Sequence, residues 1–183
     1  MKLFVSPHND DAVLFGAFTL LREKPTVLTV FDSYRQVNRG FPQCDIMTRR
    51  REDMAAMEIL GCPIQFGCVA DDVALNLIEH QVHEALLRLR RVEEVWLPAS
   101  ESGGNLQHNI VSEIGREVFG GAVIHSYLTY TSFGKSMGGT LVSCNGAMAL
   151  KKLQALACYR TQLEIDELGC WPHFLRDQNE YSA

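Results

Sequence analysis

An α/β fold built on a mostly parallel sheet is predicted for this 183-residue chain from three observations. Short apolar, β-branched runs alternate with segments of ten or more residues that carry helical periodicity, the pattern of βαβ units. Hydrophobic residues make up 46% of the chain, enough to bury a substantial core. No internal repeat, low-complexity linker or compositional break divides it, so residues 1–183 are expected to form one domain.

The elements follow in order. Residues 2–5 (KLFV) read as a buried strand and 12–22 as the helix after it. A second strand is predicted over 26–31 (TVLTVF), whose β-branched residues suit a sheet. Residues 32–46 are polar, contain Gly40 and Pro42, and read as a long loop. Met54, Met57 and Leu60 fall at helical spacing within 47–60, and Gly61 supplies the stop. A short strand near 64–68 leads to a loop with Asp71 and Asp72, and helical periodicity returns over 76–90. A strand at 94–97 (EVWL), a loop through Pro98 and Gly103-Gly104, a helix over 107–119 and a strand near 121–126 complete the alternation. The β-favouring runs within 127–144 suggest a hairpin or an edge extension, and 146–160 a final amphipathic helix. The last 20 residues show no clear period.

Bulk properties exclude several classes. A formal charge of −5 argues against a general nucleic-acid surface. The basic cluster Arg49-Arg50-Arg51 runs directly into Glu52 and Asp53 and reads as a polar helix face. No run approaches the roughly 20 apolar residues needed to span a bilayer. Asp and His by position 10 do not fit a signal peptide, so a soluble cytoplasmic protein is expected. The six cysteines form no CxxC pair and read as reduced thiols.

Candidate chemistry gathers at strand exits, where parallel α/β sheets bind ligands. SPHNDDAVL sets His8 beside Asp10 and Asp11 as the first strand ends. A neutral imidazole and a carboxylate three residues apart suit zinc, and His108, after a glycine-containing loop, is the candidate third ligand. Such a set leaves a position for water, with Asp10 free to take its proton. An Asp-Asp pair ahead of an apolar helix also suits an N-cap and a first-turn carboxylate, and both readings stand on spacing alone.

PHNDDAVL resembles the PHPDDE-type opening of the PIG-L or LmbE-like family of metal-dependent de-N-acetylases, which act on N-acetylated amino sugars. Arg49, Glu52 and the downstream Leu60-Gly61 resemble that family's R-x-x-E helix, GNLQH its G-H-x-D-H segment, and KKLQALACYRTQ a late family helix. The matches run in order over about residues 3–162. The resemblance implies a Rossmann-like three-layer sandwich, with His8, Asp11 and His108 as zinc ligands and Asp10 as general base. It also implies hydrolysis of an acetamide to acetate and a primary amine, on a small-molecule amino sugar or conjugate. Iron or another divalent ion also satisfies such a ligand set.

The chain departs from the pattern at four positions. Asn9 replaces the proline, Ala12 the glutamate, and Asn105 and Gln107 the first histidine and the aspartate of H-x-D-H. The family's first histidine is associated with stabilising the tetrahedral intermediate. Asn105 can donate a hydrogen bond there but cannot carry a proton or a charge.

Other residues carry open alternatives. Arg49 contacts substrate or pairs with Glu52. Asp72, with Asp71, shapes the pocket or caps a turn. His125 orients site groups or satisfies the sheet edge, and His173 enters the pocket only if the C-terminal segment folds over it. His80 and His83 read as solvated helix residues. The short length leaves room for rim residues from a second subunit in a homo-oligomer. A noncatalytic sugar- or nucleotide-binding protein of the same fold is the alternative, motivated by Asn105 and Gln107. A nucleotide-binding enzyme is disfavoured because no G-x-G-x-x-G follows the first strand.

Overall fold

The structure is a computed structural model describing residues 1–33, 46–70, 74–89, 91–129, 140–164 and 180–182. Five parallel strands form its centre: β1 (Lys2–Ser6), β2 (Thr26–Ser33), β3 (Ile64–Ala70), β4 (Glu94–Pro98) and β5 (Val123–Tyr127). The intervening helices are α1 (Asp11–Glu23), α2 (Ile46–Leu60), α3 (Leu75–Leu87) and α4 (Leu106–Val118). Two-residue strands β6 (Thr140–Leu141) and β7 (Tyr181–Ser182) lie antiparallel beyond β5, giving the order β3-β2-β1-β4-β5-β7-β6. Helices α5 (Gly146–Leu156) and α6 (Arg160–Glu164) follow β6 in the chain.

Strand alternation sorts the core into two layers. Along β1, Phe4 turns toward α1, α2 and α5, where it joins Val13, Met57, Leu60 and Leu156. Leu3 and Val5 turn the other way and pack with Ile78, Val82 and Leu86 of α3 and Val111 of α4. Helices therefore cover both faces of the sheet, giving the Rossmann-like three-layer sandwich. Strands buried on two faces read as continuous apolar runs, which is why the first two were legible.

Two details differ from expectation. The edge extension near 140 pairs, among the described residues, with β7 from the C-terminal segment. A two-residue strand carries no period by which sequence could find it. The final helix breaks after Leu156, and Tyr159 turns inward fully buried before α6 begins. Gly61 does end α2, with φ at +69° in the left-handed region open to glycine.

Candidate metal centre

The strand order reverses at β1: its chain continues to β2 on one side and lies against β4 on the other. Segments leaving the C-terminal ends of β1 and β4 flank that switch point, where doubly wound sheets open a crevice. His8 to Asp11 follow β1, and Asn105 to His108 start α4 beyond β4.

Ser6 resolves the capping question. Its Oγ accepts from Ala12 N at 3.0 Å and donates to His8 O at 2.7 Å. Asp10 occupies the N-cap position, and its carbonyl accepts from Val13 N and Leu14 N, both at 3.0 Å, but its side chain makes no capping bond. The carboxylate of Asp10 is thus buried beside the candidate ligands and uncommitted to the helix.

Asp11, fully buried, anchors the cluster. Its Oδ2 accepts from His8 N at 2.9 Å and lies 3.0 Å from both His8 Nδ1 and His108 Nε2. The two ring nitrogens are 3.2 Å apart. Among the described residues these three form the one group of three His, Cys, Asp or Glu side chains whose ligand atoms all lie within 4.8 Å of one another.

The arrangement fits a divalent cation. Tetrahedral ligands at zinc's usual bond lengths sit roughly 3.3 Å apart, close to the spacing here. Once their protons are displaced, the two imidazole nitrogens would offer lone pairs toward the same point as the carboxylate oxygen. Asp11 Oδ1, also buried, has no hydrogen-bond partner among the described residues. Three protein ligands leave one position open.

Electrostatics follow from the same packing. Burial opposes ionisation of Asp11, yet the charge of His108 and hydrogen bonds from His108 and His8 hold its carboxyl well below the usual range. Burial likewise works against protonation of His8, but the Asp11 carboxylate outweighs it and raises the imidazole. For Asp10, burial and then the neighbouring Asp11 charge raise the carboxyl, with Arg49 and His8 partly opposing them.

The remaining predicted residues are distributed unevenly. Arg49, half-buried on α2, brings its positive charge to bear on Asp10. Glu52, its sequence-predicted partner, accepts instead from Thr161 N at 2.9 Å and Thr161 Oγ1 at 2.6 Å. Arg50 pairs with Asp32 at 2.5 Å. Asn105 is the N-cap of α4, its Oδ1 accepting from Gln107 N at 2.8 Å, and its Nδ2 makes no hydrogen bond among the described residues. His125 is not brought to the cluster. It lies across from Trp96 in the sheet, stacks on that ring, and bonds Glu94 Oε1 at 2.9 Å at the start of β4. His80 is exposed and His83 half-buried on α3. Asp71, Asp72 and His173 lie outside the described residues.

Two contributors escaped sequence reasoning. Gln107 Oε1 lies 2.6 Å from His8 Nε2, the ring nitrogen remote from the cluster. Asp53, buried on α2, accepts from Asn9 Nδ2 and Thr29 Oγ1 at 2.9 Å each and from Tyr159 Oη at 2.7 Å. Burial pushes the Asp53 carboxyl up to about 8 despite those donors. A signal was present: Asp53 falls four residues after Arg49 and three before Ala56, on the inward face of α2.

No protein-family model matches this sequence, and no curated protein matches it. Solved structures match in fold. The N,N'-diacetylchitobiose deacetylase of Pyrococcus horikoshii aligns with a TM-score of 0.74 at 16% identity, covering 100% of this chain and 82% of its own. Teicoplanin deacetylase Orf2, in a zinc-inhibited form, aligns at 0.72 and 17% identity, covering 99% and 95%. The 4-carboxy-2-hydroxymuconate hydratase of Pseudomonas putida aligns at 0.68 and 18% identity, covering 96% and 84%. These likenesses establish the fold, which hosts both deacetylases and a hydratase; the reaction must be argued from the site.

Proposed function

We propose that this chain hydrolyses an N-acetyl group from an amino-sugar-containing small molecule or conjugate, releasing acetate and a primary amine. A divalent cation, zinc in this reading with Fe2+ as the other candidate, is held by His8, Asp11 and His108. The observation that carries the reading is the convergence of His8 Nδ1, His108 Nε2 and Asp11 Oδ2 within 3.0–3.2 Å of one another, beside the uncommitted carboxylate of Asp10. Deacetylases among the fold's neighbours and the resemblance of PHNDDAVL support the choice of acetamide over other substrates of water addition.

When bound, such a cation acidifies water and polarises an amide carbonyl. Asp10 takes the proton as the water oxygen forms its bond to the acetyl carbon. The same carboxyl returns that proton to the amine nitrogen as the carbon–nitrogen bond breaks. The raised affinity of Asp10 for a proton suits both halves of that exchange. Nδ2 of Asn105 is the donor offered to the developing oxyanion or to a sugar hydroxyl. Arg49 is the candidate substrate contact, its charge directed at the neighbourhood of Asp10.

Metal analysis of the purified protein, joined to acetate release from a panel of N-acetylhexosamines and their conjugates, tests this. Near-stoichiometric divalent metal and chelator-sensitive acetate release are expected. Absence of both would overturn the proposal in favour of a noncatalytic sugar-binding protein.

A further inference from the structure

His8 meets the cluster with one ring nitrogen and Gln107 with the other. Nδ1 faces Asp11 Oδ2 at 3.0 Å and His108 Nε2 at 3.2 Å, while Nε2 lies 2.6 Å from Gln107 Oε1. An amide oxygen carries lone pairs and no hydrogen, so this contact forms when His8 Nε2–H donates. In the neutral ring the lone pair then sits on Nδ1, the nitrogen that points to Asp11 and His108.

Gln107 is itself fixed. It is the second residue of α4, and its backbone N–H donates to Asn105 Oδ1 at 2.8 Å. His108 follows on the same helical turn. The two positions at which the chain departs from H-x-D-H therefore work in series: Asn105 starts the helix, and Gln107 reaches back 99 residues to orient His8. One face of the His8 ring stacks on Phe31, with centroids 5.7 Å apart.

We propose that Gln107 is a positioning residue that selects the Nε2–H tautomer of His8 and so presents Nδ1 to the cation, through a neutral acceptor. This rests on His8 being a metal ligand. A histidine ligand whose far N–H meets a carboxylate becomes more basic, and loss of such a partner typically weakens metal binding by about 10–100-fold. A neutral amide orients the ring equally well while adding less basicity, so the site is tuned toward weaker binding than a carboxylate at position 107 would give.

The test measures zinc affinity by chelator competition in the wild type, Gln107→Leu and Gln107→Glu, with histidine-selective 15N NMR of the zinc-loaded proteins. The wild type is expected to show His8 bound through Nδ1 with a proton on Nε2. Gln107→Leu should bind zinc about 10–100-fold more weakly and exchange that proton faster. Gln107→Glu should bind more tightly than wild type, a comparison that stands even if Gln107→Leu folds poorly. Ligation through Nε2, or unchanged affinity in both variants beside a wild type that binds zinc, would overturn this inference alone. A wild type that binds no zinc would overturn the metal site and this inference with it.

Discussion

Asn9 Nδ2 donates to Asp53 Oδ2 across 2.9 Å, joining the loop between the two candidate ligands His8 and Asp11 to the buried face of α2. Asn9 is 1% exposed, so its amide would be costly to bury without that acceptor. Thr29 from β2 and Tyr159 from the α5–α6 break donate to the same carboxyl. Three separate segments thus converge on Asp53 of α2, directly behind the residue that precedes Asp10.

Asp53 should impose a pH dependence on stability. Its folded carboxyl titrates near 8, above the ordinary value of about 3.9, so the folded state holds the proton more tightly. The resulting stabilisation is full below about pH 4 and is lost as pH rises toward and through 8. Asp53→Asn has no such proton to lose. In urea unfolding of chelator-treated protein, the variant should gain on the wild type between pH 5 and pH 8. A gain in the opposite direction, or none, would show Asp53 to be ionised throughout.

Much of the site was legible before folding because it lies on short local patterns. His8, Asp10 and Asp11 occupy one strand exit, and the glycine-containing loop before His108 marks another; βαβ topology alone brings those exits together. The partners that tune them were not legible. Gln107 meets His8 and Asp53 meets Asn9 only through tertiary packing, across 99 and 44 residues. His125 carried two readings, orienting site groups or satisfying the sheet edge. Pairing places it opposite Trp96 with Glu94 as its partner, a contact that only the folded sheet creates.

Close packing behind the site gives a second prediction. A Cβ at Gly16 would lie 2.3 Å from Phe4 Cζ. Phe4 is fully buried and stacked on Tyr127 with centroids 4.6 Å apart, so its ring has little room to yield. Gly16→Ala should gain roughly 1 kcal/mol of helix propensity but lose about 1–3 kcal/mol or more to overpacking. Net destabilisation in urea unfolding is expected, with part of it recovered by adding Phe4→Leu. A more stable single variant would contradict this packing.

Metal should be visible in stability as well as chemistry. A cation that binds the folded cluster and not the unfolded chain adds about 2.7 kcal/mol when its free concentration is 100 times Kd. Chelated wild-type protein should therefore melt higher when zinc is restored. His108→Ala removes a candidate ligand that is 1% exposed and should abolish the shift. An undiminished shift in that variant would remove His108 from the ligand set.

Asp10 and Asp11 are neighbours in sequence, but their replacements should separate binding from chemistry. Asp11 Oδ2 lies 3.0 Å from both histidines, so Asp11→Asn replaces a charged acceptor at the centre of the cluster and should lower metal occupancy. The side chain of Asp10 holds no helix cap, so Asp10→Asn costs the fold little and the cluster no ligand. General acid–base groups typically contribute about 10²–10⁴-fold, and acetate release should fall by that order in Asp10→Asn while zinc content stays unchanged. The pair is measured by metal analysis beside initial rates on one N-acetylated substrate. Undiminished turnover in Asp10→Asn would remove Asp10 as the proton carrier, and full zinc occupancy in Asp11→Asn would remove Asp11 as a ligand.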